Sequence, residues 1–137
     1  METSSRSSAT EPRWLPLPAA VEFNRQVVEK FGGNHQLRSL AALKLALASP
    51  WNIWVYSKVV DPAVLATALF SDLASVNAFE CGNKRTAFLC AVAFIEANGR
   101  SFTMPDSETS AEKLRGFAER RFGENALAEW LRYWISD

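Results

Sequence analysis

Neither sign of charge is in excess in this chain, since fifteen Lys plus Arg face fifteen Asp plus Glu. Without a basic surplus there is no electrostatic footprint for nucleic acid, so DNA or RNA is not an expected partner. Cysteine is scarce. Cys81 and Cys90 lie on what reads as one loop-helix unit, which argues against a disulfide scaffold and fits a reduced, cytoplasmic setting. Neither stands in zinc-ligand spacing with His35, the only histidine. Long hydrophobic runs are also missing: the longest, Ala87 to Ile95, falls far short of the roughly 20 residues that span a bilayer, so no membrane is expected as partner. The Ser/Thr-rich start, residues 1–13, lacks the apolar segment of a secretory signal and reads as a disordered tail. No internal repeat or second domain is visible, and 48% hydrophobic residues suffice for a single core over residues 14–137.

What is present is helical spacing almost throughout. Ala19 to Phe31 reads as a helix stopped by Gly32-Gly33. Leu37, Leu40, Ala41, Leu43, Leu45 and Leu47 make a second, which Ser49-Pro50 should end. Asp61 as N-cap and Pro62 at the first turn open a third, striped by Leu65, Leu69, Leu73 and Val76. A fourth, Asn83 to Asn98, is apolar on all sides between Ala87 and Ile95 and is expected to be central and packed all round. Thr109 and Glu112 suggest a capping box for a fifth, with Leu114, Phe117, Ala118 and Phe122 inward. A sixth runs from Ala126 to Ile135. Ile53-Trp54-Val55-Tyr56 breaks the pattern, because β-branched and aromatic residues between turn-formers favour a short extended segment. The competing arrangement folds Trp51 and Trp54 back onto the core as apolar fillers.

One stretch has the character of chemistry. In Asn77-Ala78-Phe79-Glu80-Cys81-Gly82-Asn83-Lys84-Arg85-Thr86-Ala87 a Gly-Asn turn bearing two cations runs directly into an apolar helix. The first N–H groups of a helix have no intrahelical partner and sit at the positive end of its dipole, so such a corner suits phosphate. Lys84 and Arg85 add charge-assisted donors.

These residues resemble the signature of Fic/Doc (Fido) domains, His-x-Phe-x-Asp/Glu-Gly-Asn-Gly/Lys-Arg, which the Doc (death-on-curing) branch continues with Thr-Ala. The match holds at Phe79, Gly82, Asn83, Lys84, Arg85, Thr86 and Ala87. Two positions depart: Asn77 stands where the family has its His, and Cys81 where it has its acidic residue. Phe31-Gly32-Gly33 followed by Leu37-Arg38 is similar to the Doc branch's Tyr-Gly-Gly segment, and Ala93 to Gly99 is similar to the end of its post-motif helix. The resemblance implies an all-α Fido-type helical bundle around a central apolar helix, with a short extended flap before the motif, near Ile53 to Tyr56, that aligns the target segment by strand-like pairing.

Function follows from the resemblance in the same way. Fic members move AMP from ATP to a protein hydroxyl, whereas Doc transfers a single phosphate and acts as a toxin on a translation factor, elongation factor Tu. Lys84 and Ala87 point to the Doc side. Asn83, Lys84, Arg85 and the amides around Gly82 would hold the phosphates of ATP or another nucleotide, and Phe79 would anchor the loop. At the two departures the chemistry is degenerate. The carboxamide of Asn77 is no base near neutral pH, and His35 matches no catalytic position of the motif. Magnesium requires hard oxygen ligands, so with the soft sulfur of Cys81 its binding is expected to be weak and no metal ligand is assigned. Glu80, one position early, is the candidate substitute carboxylate, and Cys81 a candidate nucleophile. Losing a general base typically lowers rate by about 10²–10⁴.

Two functions are therefore expected. One is a Doc-like phosphotransferase of a toxin-antitoxin system; this chain lacks the family's self-inhibitory Ser/Thr-x-x-x-Glu-Gly/Asn motif, which fits inhibition by a separate antitoxin-like protein. The alternative is a catalytically silent Fido domain that binds a nucleotide or anion and a protein partner.

Overall fold

In the computed structural model, which describes residues 11–137, six helices and one two-residue pair of strands follow in order. Helix α1 is Leu17–Phe31, α2 Leu40–Ser57, α3 Pro62–Val76, α4 Asn83–Ala97, α5 Glu108–Ala118 and α6 Glu124–Trp134. Strands β1 (Ser101–Phe102) and β2 (Ile135–Ser136) pair antiparallel, Ser101 opposite Ser136 and Phe102 opposite Ile135, and tie the end of the chain to the exit of α4. The all-α architecture is as expected. Of the tail read over residues 1–13, residues 1–10 lie outside the described residues; at its end, the Arg13 main chain exchanges two hydrogen bonds with the Asn98 side chain (2.8 and 3.0 Å).

Local signals set several boundaries. Asp61 caps α3, its carboxylate accepting from Ala63 N–H at 2.9 Å, and Pro62 occupies the first turn. Gly32 and Gly99, both at positive φ, follow α1 and α4. At α5 the cap is Ser107, whose hydroxyl accepts from Ser110 N–H at 3.1 Å, rather than the Thr109/Glu112 box. Phe122 is 46% exposed instead of inward, although its ring meets that of buried Phe117 edge-on at 5.1 Å.

The core lies where α3 and α4 pack together, flanked by α1, α2 and α6. It is α3 that is enclosed on most sides, burying Leu65, Ala66, Leu69, Phe70, Leu73 and Ala74 among others. Helix α4 buries Thr86, Ala87, Cys90, Ala91, Phe94 and Ile95, while Phe88, Leu89, Val92 and Ala93 are only half-buried. Its expected place as the helix packed all round therefore belongs to α3.

The extended flap expected at Ile53 to Tyr56 is helix. Helix α2 continues through Pro50 to Ser57. Proline removes one main-chain donor from a helix, but here its ring is fully buried, and packing outweighs the lost bond. Beyond it, Trp54 meets the Trp14 ring at 6.0 Å, and Lys58 closes the helix in a left-handed conformation with its N–H on Trp54 O at 2.8 Å. Trp54 thus packs on Trp14, which itself lies against the core, whereas Trp51 stays 43% exposed. Extended pairing does occur beside the motif, but from residues 36–39. Leu37 bridges Phe79 antiparallel: Arg38 N–H donates to Ala78 O at 2.7 Å and Glu80 N–H to Gln36 O at 2.9 Å.

Candidate functional site

The motif loop joins α3 to α4, the two helices that share the core, so its ends are fixed by the most tightly packed part of the molecule. Asn77 ends α3 at φ 52°, ψ 48°, a left-handed conformation that asparagine tolerates better than most residues. It is exposed. Phe79 is buried to 2% exposure. Asn83 closes the turn from the other side: its Oδ1 accepts from Phe79 N–H at 3.0 Å and its Nδ2 donates to Phe79 O at 2.8 Å. Its carboxamide is therefore engaged within the loop.

The chain then enters α4 through Gly82, at φ 76° and without a side-chain cap. A side chain here would be strained twice over, since a Cβ would lie 2.8 Å from Val27 Cγ1 on α1. Among the described residues, no acceptor meets the main-chain N–H of Cys81, Gly82, Asn83, Lys84 or Arg85; the first satisfied helical donor is Thr86 N–H, on Gly82 O at 2.9 Å. Consecutive unpaired donors at a helix start, next to two cations, make a candidate anion cradle. Lys84 and Arg85 are exposed. Lys84 Nζ comes within 4.0 Å of Glu119, and the Arg85 guanidinium lies over the Phe31 ring at 4.0 Å. Both also line a cleft of about 640 Å³ between α1, α4 and α5, together with Lys30, Phe31, Phe88 and Arg115. That volume suits a small organic ligand.

The substituted positions sit as follows. Cys81 is half-buried, and its side chain presses on Gly33, where a Cβ would meet Sγ at 2.8 Å; the glycine at φ 107° is what lets the α1–α2 loop approach. Glu80 is half-buried and accepts from Asn34 Nδ2 at 3.0 Å. The loop therefore offers one carboxylate, already engaged, and one sulfur, a donor set that does not fit magnesium. Cys90, one helix further in, is inert, because burial pushes its thiol up to about 12.

Sequence reasoning missed the residue that holds this site together. Asn24 of α1 is fully buried, and its Nδ2 donates to Cys81 O (2.8 Å) and Thr86 Oγ1 (3.1 Å) while its Oδ1 meets His35 Nδ1 (2.8 Å). One carboxamide joins the α1–α2 loop, the motif loop and the first turn of α4. A signal was available: Asn24 falls on the same helix face as buried Ala20, Val27 and Val28, and a polar residue on a core stripe needs partners. The His35 ring lies over Phe79, 6.3 Å between centroids. Near it on α1, hydrogen bonds from Arg25 and then Gln26 hold the Glu22 carboxyl down to about 2.

With this geometry in place, comparison with known proteins adds one finding. A protein-family model described as the Fic/DOC family matches residues 14–95, from the approach to α1 almost to the end of α4, and so includes the whole cradle. No curated protein matches the chain.

Proposed function

The chain belongs to the Fic/DOC family, and from that premise we propose that it is a Doc-type nucleotide-binding domain that transfers phosphate from ATP to a hydroxyl of a protein, a translation factor, within a toxin-antitoxin system. The observation that carries this is the run of main-chain donors from Cys81 to Arg85 that meets no acceptor among the described residues. A triphosphate would accept from these amides and from Lys84 and Arg85, and the cleft beside α4 has room for the nucleoside. Asn83 acts by closing the turn through Phe79 rather than by reaching the phosphates. Loose phosphoryl-transfer transition states depend mostly on positioning and electrostatics, which a cradle of fixed amides supplies.

The silent alternative draws on a specific observation, the exposed carboxamide of Asn77 at the family's base position. Calorimetry with ATP tests binding: heat that disappears in Lys84→Ala/Arg85→Ala and does not require magnesium supports the cradle, and no heat from the unaltered protein overturns it. Expression in a bacterial host separates the two functions. Growth arrest by the unaltered chain supports phosphate transfer; arrest only after Asn77→His together with Cys81→Asp supports the silent domain.

A further inference from the structure

We propose that His35, on the loop between α1 and α2, is the proton acceptor of this site, taking the part that Asn77 cannot play. The inference rests on the phosphate-transfer reading above and adds the residue that would make it work. Three observations lead to it. First, His35 is joined to the cradle by a single side chain, since Asn24 touches His35 Nδ1 with one end and Cys81 O with the other, each at 2.8 Å. Second, Cys81 O can only accept, so Asn24 must turn its Nδ2 toward it and its Oδ1 toward the imidazole. A carboxamide oxygen cannot donate. His35 therefore carries its proton on Nδ1, and the neutral ring keeps a lone pair on Nε2. Third, Nδ1 is held inward by a fully buried partner while the residue itself is exposed, so Nε2, on the opposite edge of the ring, is turned outward with no protein partner among the described residues.

A base whose other nitrogen is fixed by an oriented carbonyl oxygen is the arrangement that general-base catalysis requires. The surrounding loop is pinned as well, by the Leu37 to Phe79 pairing and by Asn34 on Glu80. In the step itself, Nε2 takes the proton of the target hydroxyl as its oxygen bonds to the γ-phosphorus of ATP. The bond from that phosphorus to the β,γ-bridging oxygen breaks, and ADP leaves with the electron pair.

Because the chain has one histidine, nitrogen NMR of its imidazole needs no assignment by mutation. The expected spectrum of the neutral ring shows a protonated Nδ1 and an unprotonated Nε2, with Nε2 shifting on addition of ATP. Protonation at Nε2 instead, or an unmoved Nε2 while the Gly82 and Asn83 amides shift, overturns the proposal and leaves the ATP-binding reading standing. If neither imidazole nor amides respond, ATP binding itself fails, and the proposal with it. Turnover gives the second readout: labelled phosphate released or transferred from ATP should fall about 10²–10⁴-fold in His35→Ala and recover in part with added imidazole. A merely structural His35 would not be rescued, and absence of turnover by the unaltered chain overturns the catalytic assignment.

Discussion

Two helix starts in this molecule lie close in sequence and solve the same problem in opposite ways. At α3 Pro62 brings no donor, the Asp61 carboxylate accepts from Ala63 N–H and the Asp61 carbonyl from Leu65 N–H, and Arg132 in turn pairs with Asp61 at 2.6 Å. At α4 a glycine replaces the capping side chain, and five donors in a row are left without acceptors among the described residues. Uncapped starts cost stability, about 1 kcal/mol for a missing cap alone. The second start is instead held by tertiary contacts, through Asn24 behind it and Asn83 across it. A helix start that is braced from outside but not capped from within is organised for a ligand. That difference is what the proposed ATP site rests on.

Substitutions break this comparison in a graded order. Asn24→Ala should have the largest effect, because it strands Thr86 and the Cys81 carbonyl in the interior; about 3 kcal/mol of stability should be lost in denaturant unfolding, with ATP binding abolished. Gly82→Ala combines left-handed strain with overlap on Val27 and should cost about 2–3 kcal/mol. The overlap pushes the loop off Val27 and misaligns its amides, so calorimetric affinity should fall by about tenfold. Asn83→Ala removes both links across the turn and should lower stability by about 2 kcal/mol; retention of full ATP affinity would show that the turn needs no brace. Asp61→Ala at the other start should cost about 1 kcal/mol, the exposed Arg132 pair adding little, and leave ATP affinity unchanged. Any loss of affinity there would erase the contrast between the two starts.

A smaller test uses the two cysteines on either side of this second start. Cys81 should react with a thiol reagent in the native state, and Cys90 only as the protein unfolds. Burial raises the Cys90 thiol from 9.0 to about 12, so the folded state retains a proton that the unfolded chain releases. Stability is accordingly unaffected below about pH 9 and declines as pH rises toward 12, a loss that Cys90→Ala should remove.

How far the sequence carried depends on the range of the interaction. Asp61-Pro62, the Gly32 and Gly99 stops and the Leu65, Leu69, Leu73 stripe were legible because each acts within a turn or two of its own position. The cradle was legible for the same reason, as a Gly-Asn corner before an apolar helix. Ile53 to Tyr56 misled because β-branched and aromatic residues favour strand locally, while a buried Pro50 and the Trp54 contact with Trp14 hold the segment helical. The cap of α5 was misplaced by two residues, Ser107 and Thr109 both being competent types.

The sequence by itself determined that six helices form, where most of them begin and stop, and that one of them starts at a Gly-Asn corner beside two cations. Only the tertiary structure decided what stands beside that cradle: the extended pairing of Leu37 with Phe79, the Asn24 carboxamide, and the imidazole of His35. Asn24 and Cys81 are 57 residues apart, and nothing in the local propensity of either requires the other. Caps, stripes and turns are settled by neighbours along the chain, whereas a buried polar group acquires its partners only when packing has excluded water and left it no other choice.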